Sequence, residues 1–348
     1  MTSDSLEEEI GLQRIQELLS VLPSFTLLAG LQLDVFTRLA DRPATATGLA
    51  GLLGVEVPRL ERLRYALVAI EFLEIRSGEN EGDLFANTPE ADRFLVEGSA
   101  DFVGHERHLW SRVWEAALQT ADSVRADSPR AMLDFTELPR EELRTFLKGL
   151  HRGAVSTGEE LARRWLSSCT TVLDVGGGSG GLSVALTRCC PQLTATIVEL
   201  PTVAPVTREL VEAEGAAERV SVVAADLGGA ATEPTPRDLA AGHFDAAVCK
   251  SFLQCLGPSE AKRAVVRMAR LLRPGGELFV IGVGLLDDTR VTPAHATLFV
   301  LVFLNIYEGG RAYTESEHRE WLAAAGLEKV ERLELDDGSP FLRGRKPE

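Results

Sequence analysis

The chain has 348 residues, a length that favours two domains, and its 45% hydrophobic and 25% charged residues are the proportions of an ordinary globular protein. Its net charge of −16 disfavours a nucleic-acid partner, and the sequence contains no uncharged apolar stretch long enough to form a transmembrane helix. Five cysteines without a Cys-x-x-Cys pair, and a polar, acidic start without a signal peptide, predict reduced thiols, a cytoplasmic location and no bound metal.

The first 150 residues have mostly helical patterns. Apolar residues recur at helical spacing from Leu12 to Leu19, and the stretch from Leu27 to Leu39 is apolar enough for a largely buried helix. Further helices are predicted between residues 101 and 166. We therefore place a mainly α-helical domain over residues 1–150 and expect the second domain to cover residues 151–348.

Within the helical region, Ala44 to Thr88 has the pattern of a winged helix-turn-helix. Thr45 or Thr47 can cap a short helix, Pro58 opens a second helix, and two strand-like runs follow it. The second helix carries three arginines that could contact DNA: Arg59, Arg62 and Arg64. Because glutamates flank them and the following turn is acidic, the charge pattern favours a structural or dimerisation role over DNA contact.

From Thr170 onward, short apolar runs alternate with helical patterns. The runs predict five strands, at 171–175, 193–200, 220–224, 244–249 and 277–283. Helical patterns separate several of them, at 182–190, 203–214 and 259–272. Strands that alternate with helices predict a parallel sheet with helices on both faces, an α/β fold of Rossmann-like type.

A glycine-rich loop follows the first of these strands. Residues 176–181 read Gly-Gly-Gly-Ser-Gly-Gly and satisfy the Gly-x-Gly-x-x-Gly pattern through Gly176, Gly178 and Gly181. Glycines at a strand-to-helix junction allow the backbone to approach a ligand beside the helix N-terminus. The pattern fits either a dinucleotide or S-adenosylmethionine, and in both cases an acid at the end of the second strand, here Glu199, takes the ribose hydroxyls.

Three further features favour S-adenosylmethionine. Asp174 lies just before the glycines, where a carboxylate can organise the loop and the cationic methionine end of the ligand. Asp226 and Leu227 follow the third strand, where an aspartate can accept the adenine amine and an apolar side chain can cover the ring. The stretch Arg273–Gly276 makes a tight turn before the fifth strand.

With these motifs the sequence resembles the plant caffeate-type O-methyltransferases and their bacterial relatives in polyketide and antibiotic tailoring. The resemblance covers nearly the whole chain, and the matching segments are Leu173–Gly180, Val198–Pro201, Ala225–Leu227 and Leu271–Gly276. It implies a homodimer formed through intertwined N-terminal domains, with a small-molecule acceptor pocket between the domains. It also implies that Leu200, Lys250 and Ser251 lie at the cofactor.

The sequence departs from this family at the catalytic base. The family's histidine position is occupied by Gln254, which cannot accept and hold a proton at neutral pH. The two glutamates that steer that histidine are replaced by Gly282 and Ala312. Methyl transfer can then rely largely on proximity, with an acceptor that is acidic, enolised or a neutral amine.

Other side chains could serve the acceptor end of the site. His151, in the helix that enters the second domain, and His295, before an apolar helix at 298–306, are candidates for a substitute base. Phe303 and Tyr307 are aromatic side chains suited to a planar hydrophobic acceptor.

The sequence thus predicts an S-adenosylmethionine-dependent methyltransferase for a small, aromatic or polyketide-like secondary metabolite, with oxygen as the default acceptor. Transfer to carbon or nitrogen stays open because of Gln254. So does an enzyme of the same fold that uses the bound sulfonium as a fixed charge for non-methylating chemistry. A winged-helix regulator that senses the cofactor is the non-enzyme alternative, and it would need a basic recognition helix.

Overall fold

A computed structural model describes residues 13–78, 82–229, 239–283 and 285–348, and the chain divides into two units between Arg107 and His108. The boundary expected from the sequence, near residue 150, falls inside the helix Arg140–Leu161. That helix buries Leu143 and Leu147 in one cluster with residues 203–210 of the second unit. The boundary therefore differs because helical periodicity marks a helix without showing which unit it packs against.

The first unit contains the winged helix-turn-helix that the sequence predicts. Thr45 caps its first helix by accepting the backbone N–H of Gly48 at 3.1 Å, and Gly54 ends that helix in the left-handed conformation. The elements are helices α1 (Leu22–Gln32), α2 (Val35–Leu39), α3 (Ala46–Leu53) and α4 (Val57–Ala69), the antiparallel strands β1 (Leu73–Gly78) and β2 (Gly82–Asn87), and helix α5 (Pro89–Phe94).

The N-terminal helices agree with the sequence in one segment and differ from it in the next. Residues 13–19 are helical, as predicted, while Leu12 lies outside the described residues. The single helix expected from Leu27 to Leu39 is two helices, because Asp34 adopts a left-handed φ of 60° between α1 and α2. Apolar periodicity continues through this break and therefore does not reveal it.

One of the three arginines of α4 is directed into the core of the first unit. Arg64 is only 6% exposed, and its guanidinium carbon lies 4.2 Å from the centre of the Phe85 ring. Leu60, Leu67 and Phe85 are buried around it. A buried, ring-stacked Arg64 is not presented to DNA, and this weakens the regulator alternative further.

The second unit is an α/β domain. Its helices are α6 (Glu106–Ala117), which spans the division, α7 (Thr120–Ala126), α8 (Arg140–Leu161, continued by a π-helical turn at Ala162–Leu166), α9 (Gly181–Cys189), α10 (Ala204–Ala213), α11 (Pro258–Leu271), α12 (Ala294–Ile306) and α13 (Glu315–Ala324). Its strands are β3 (Thr171–Val175), β4 (Thr194–Glu199), β5 (Val220–Ala224), β6 (Phe244–Lys250), β7 (Leu272–Ile281), β8 (Leu285–Leu286), β9 (Tyr313–Thr314), β10 (Glu328–Glu334) and β11 (Pro340–Arg345).

The central sheet has seven strands in the order β10-β11-β7-β6-β3-β4-β5. The five strands from β7 to β5 are parallel, whereas β11 pairs antiparallel with both β7 and β10. The prediction of a fully parallel sheet is therefore wrong at this edge. β10 carries three glutamates, a lysine and an arginine among its seven residues, so it lacks the apolar run that identified the other strands.

Helices cover both faces of the sheet, as predicted. On one face, α11 contributes Ala261, Val265 and Met268 to a core cluster with the sheet. On the other face, α9 contributes Leu182 and Leu186 to a second cluster. Within the described part of the chain, no helix is both long and apolar enough to cross a membrane.

Candidate cofactor and acceptor site

The site residues predicted from the sequence gather at the carboxyl ends of the parallel strands. β3 leads into the glycine loop, β4 ends at Glu199, β5 is followed by Asp226, and β6 ends at Lys250. β3 lies between β6 and β4, and β4 lies beside β5. In an open α/β sheet, this edge is where ligands bind.

Two glycines of the loop are required for different reasons. Gly178 has a φ of +55°, and a Cβ built on it would have 3.5 Å to its nearest neighbour, so the backbone conformation rather than crowding selects glycine there. Gly176 has a φ of +69°, and its Cβ would lie 2.7 Å from the Phe252 ring. The loop thus packs against Phe252 on one side and leaves open backbone surface at Gly178.

The Gly178 residue is held from both sides. Its N–H donates to Glu199 Oε1 at 2.7 Å, and its carbonyl oxygen accepts the Thr207 hydroxyl at 2.7 Å. Thr207, on α10, is fully buried. These bonds fix the orientation of the loop backbone before any ligand contact is made, and no motif in the sequence indicates the part played by Thr207.

The Glu199 carboxyl is buried and accepts a second backbone N–H, from Leu200 to Oε2 at 3.0 Å. Burial raises the pKa of Glu199 to about 7, against the opposing effect of these two hydrogen bonds. Each carboxylate oxygen accepts one backbone N–H and has a lone pair left. This spare acceptor capacity fits the hydroxyls of a ribose.

The buried Asp174 carboxyl and the half-buried Lys250 cation interact electrostatically beside the glycine loop. Asp174 accepts the Ser183 hydroxyl at 2.8 Å, and burial raises its pKa to about 6 although Ser183 and the Lys250 cation lower it. Burial likewise lowers the pKa of Lys250, while Asp174 opposes that shift. The next residue, Ser251, takes a left-handed φ of 55° and donates its N–H to Ile281, which turns the chain away from the sheet.

After β5, the Asp226 side chain organises its own turn. Asp226 Oδ1 accepts the N–H groups of Gly228 and Gly229 at 2.9 and 2.8 Å. Leu227 is 7% exposed and joins the core cluster on the α11 face. Because Oδ1 takes both backbone bonds, Oδ2 keeps its capacity to accept an amine.

Gln254 lies in a single 3₁₀ turn, Leu253–Cys255, directly after this edge of the sheet. It is 8% exposed, and a Cβ built on Gly282 would lie 3.0 Å from its Oε1 atom. Its carboxamide forms no hydrogen bond with any residue that the structure describes. Ala312, the third replaced position, is buried beside Leu286. The structure thus brings Gln254 and Gly282 together and places no charged group in either glutamate position.

A buried phenol and thiol lie next to Gln254. The Tyr307 hydroxyl and the Cys255 thiol interact with each other, and the thiol donates a hydrogen bond to the Ser251 carbonyl at 3.5 Å. Burial raises the pKa of Cys255 to about 11 and that of Tyr307 well above its ordinary value. Both groups are therefore neutral at physiological pH, and Cys255 is a site residue that no motif in the sequence indicates.

The aromatic side chains of α12 form a short row that ends at Tyr307. The ring centres of Phe303 and Tyr307 are 6.0 Å apart, and those of Phe299 and Phe303 are 5.4 Å apart. Phe303 is 4% exposed. The row combines a packed ring at Phe303 with a polar end at Tyr307.

Neither candidate histidine is hydrogen-bonded to Gln254 within the described residues. His151 lies against the start of α9, with Nε2 3.6 Å from Glu214 Oε1, and burial lowers its pKa against the pull of Glu214. His295 is exposed on the first turn of α12. No group of three or more His, Cys, Asp or Glu side chains suited to a metal ion occurs in the described ranges.

Comparison with known protein families matches both units. Residues 16–97 match an O-methyltransferase dimerisation domain, and residues 100–328 match an O-methyltransferase domain. The 3-hydroxy-5-methyl-1-naphthoate 3-O-methyltransferase of Streptomyces sahachiroi is 30% identical, over 92% of this chain and 89% of its own length. An N,N-dimethyltransferase of Streptomyces rimosus is 29% identical over 92% of both chains.

Solved structures have the same fold. Human N-acetylserotonin methyltransferase in complex with S-adenosylmethionine superposes with a TM-score of 0.80 at 20% identity, over 93% of this chain and 94% of that chain. The mitomycin 7-O-methyltransferase superposes with a TM-score of 0.75 at 24% identity, over 99% of both chains. With its glycine loop, its acidic strand ends and both family domains in place, the chain belongs to the S-adenosylmethionine-dependent O-methyltransferase family.

Proposed function

We propose that this enzyme transfers a methyl group from S-adenosylmethionine to an oxygen of a small, planar aromatic or polyketide-like metabolite. One observation carries the proposal: the glycine loop and the acidic side chains lie together at the carboxyl ends of strands β3, β4, β5 and β6. The turn that follows β6 presents Gln254 where the family has its catalytic histidine, so it holds no base. The names of relatives support the substrate class, since one acts on a naphthoate and another belongs to tetracenomycin polyketide synthesis.

The described residues fit this cofactor. Gly176 and Gly178 give the methionine end close access to the backbone, above the Asp174–Lys250 pair. Glu199 offers buried acceptor capacity to the ribose hydroxyls. We assign the adenine to Asp226 and Leu227, and place Leu200 and Ser251 in the same wall. When bound, the cofactor supplies an electrophilic methyl group on a sulfonium.

The chain's own residues then position the acceptor without removing its proton. Gln254 donates or accepts a hydrogen bond through a carboxamide that has no partner of its own in the described chain. The raised pKa values of Tyr307 and Cys255 keep both groups protonated, so neither serves as a base near pH 7. An oxygen nucleophile must therefore arrive already ionised, as the anion of an acidic hydroxyl or as an enolate that has given its proton to solvent, with Phe303 and Tyr307 contacting its ring system.

A neutral amine is the second candidate acceptor. Its nucleophilic lone pair needs no base, and a relative at 29% identity is an N,N-dimethyltransferase. No comparable observation supports transfer to carbon. None supports non-methylating use of the bound sulfonium either. His151 and His295 remain candidate substitute bases. His151, however, is paired with Glu214, and His295 is exposed.

We further infer that the enzyme acts as a homodimer in the cytoplasm. The dimerisation-domain match and the exposed side chains of Leu18, Leu19 and Leu22 support the dimer, because a monomer would leave these apolar groups in water. All five cysteines are free, which suits a reducing compartment. Neither inference requires nucleic acid or a membrane as a partner.

The proposal is tested by following S-adenosylhomocysteine formation with S-adenosylmethionine and a panel of hydroxynaphthoates and aminonaphthalenes. Methylation of a hydroxynaphthoate, identified by mass spectrometry, is the expected result. Product from the aminonaphthalenes alone favours the second candidate. Failure of the protein to bind S-adenosylhomocysteine in calorimetry would contradict both.

A further inference from the structure

The loop Asp226–Gly229, here called the adenine loop, is held by two arginines of α11. A single nitrogen of Arg267, Nη1, donates to three carbonyl oxygens of this loop, at 3.3, 2.9 and 3.0 Å: those of Asp226, Leu227 and Gly229. Arg263 Nη2 donates to the fourth carbonyl, that of Gly228, at 3.3 Å. Every carbonyl of the loop is thus bound to a guanidinium group.

Apart from these bonds, the described contacts that shape the loop are the burial of Leu227 in the core and the two backbone bonds to the Asp226 carboxylate. Two of its four residues are glycines, which bring no side-chain packing and a large conformational freedom. Asp226 Oδ1 accepts the Gly228 and Gly229 N–H groups and so helps to orient the peptide planes that carry the Leu227 and Gly228 carbonyls. The two arginines bind the oxygens of these carbonyls, and those of Asp226 and Gly229, with charge-assisted hydrogen bonds, which are stronger than bonds between neutral groups.

The arginines are not part of the packed core of α11. That core is made by Ala261, Ala264, Val265 and Met268, which face the sheet. The Arg263 and Arg267 side chains are half-buried and reach past this face to the loop. Loss of one guanidinium group would therefore release the loop while the helix keeps its apolar contacts with the sheet.

We propose that Arg267, with Arg263, is a positioning residue that fixes the adenine end of the cofactor site. The proposal rests on the proposed function, which assigns the adenine to Asp226 and Leu227. Arg267 acts through the loop: its bonds hold the backbone so that Asp226 Oδ2 stays free for the adenine amine and Leu227 stays beneath the ring.

The test measures S-adenosylhomocysteine affinity by calorimetry in the full-length protein. Arg267→Met is expected to weaken binding about tenfold or more, because three bonds to a charged donor are lost together. Arg267→Lys keeps a cation with three donors and is expected to retain most of the affinity. Arg270→Met is the matched control, since Arg270 is an exposed arginine on the same helix.

A second readout separates positioning from general stability. S-inosylhomocysteine carries an oxygen in place of the adenine amine, so the parent protein is expected to prefer S-adenosylhomocysteine over it. Arg267→Met is expected to lose that preference as well as affinity. If Arg267→Met does not fold, Arg263→Met tests the proposal instead. We expect it to lose less affinity for S-adenosylhomocysteine, and less of the preference over S-inosylhomocysteine, than Arg267→Met would.

Parent-like affinity and preference in both the Arg267→Met and Arg263→Met proteins would overturn the proposal while leaving the proposed function intact. A parent protein that binds neither nucleoside would instead overturn the proposed function itself, and the adenine assignment with it.

Discussion

Replacing Glu199 by glutamine changes the pH dependence of stability in a way that the structure specifies. The Glu199 pKa is raised by burial from an ordinary 4.5 to about 7. A carboxyl group whose pKa is raised on folding stabilises the protein while it is protonated, and that stability is lost as the pH rises through the folded-state value. At 1.36 kcal/mol for each pKa unit, ionising Glu199 costs the folded protein about 3 kcal/mol.

The Glu199→Gln protein has no such ionisation. Its carboxamide can still accept the Gly178 N–H, but its amino group faces the Leu200 N–H and leaves one donor unsatisfied, at a cost of about 1–3 kcal/mol. The variant is therefore less stable than the parent at pH 5. Between pH 5 and 8 the parent should lose roughly 2–3 kcal/mol relative to the variant, and the two stabilities should converge or cross.

The assay is the melting temperature of both proteins at half-unit steps from pH 5 to pH 8. For a unit of this size the difference in Tm should change by about 5–10 °C over that range. Glu212→Gln, which removes an exposed carboxyl from the helix after Glu199, is the control and should follow the parent. A Tm difference between Glu199→Gln and the parent that stays constant with pH would show that Glu199 does not ionise with a raised pKa in the folded protein.

Three further predictions concern the cofactor loop, the acceptor end and the assembly. Gly178→Val should abolish measurable S-adenosylhomocysteine binding in calorimetry. The control is Gly242→Val, which also has a positive φ, of +71°, but has open space around it and should bind normally. Equal binding by both variants would contradict the role of Gly178. Gly282→Ala should displace the Gln254 carboxamide, because the new Cβ would lie 3.0 Å from Oε1. We expect a higher KM for the acceptor and an unchanged affinity for S-adenosylhomocysteine. An unchanged KM would speak against contact between Gln254 and the acceptor. Light scattering at micromolar concentration should give twice the mass of one chain, and a monomer mass would count against the homodimer.

Much of the catalytic unit was predictable because its signals are local. The strands Thr171–Val175 and Val220–Ala224 have the predicted bounds, since each is a short apolar run between polar residues. The glycine loop follows the first of them and leads into a helix, as its pattern requires. Local patterns of this kind also located the acids at the strand ends.

Contacts between distant segments were not predictable from these patterns. Nothing near Thr207 signals that its hydroxyl binds Gly178, and nothing near Arg267 signals that it binds the residues after β5. The proximity of Cys255 and Tyr307 depends on how the end of α12 packs beside the Gln254 turn. The charged strand Glu328–Glu334 was missed because its stability comes from pairing with its neighbour rather than from apolar burial on both faces.

We propose that methyl transfer proceeds with Gln254 as a hydrogen-bonding residue rather than a degraded base. The decisive measurement is kcat/KM against pH for the parent, Gln254→Ala and Gln254→His with a hydroxynaphthoate acceptor. We expect Gln254→His not to raise kcat/KM. Gln254→Ala should lower kcat/KM by less than the roughly 10²–10⁴-fold typical of a general base. The pH profile of the parent should show no titration step of a histidine at about pH 6.5. An increase of about 10²-fold or more with Gln254→His would contradict the account.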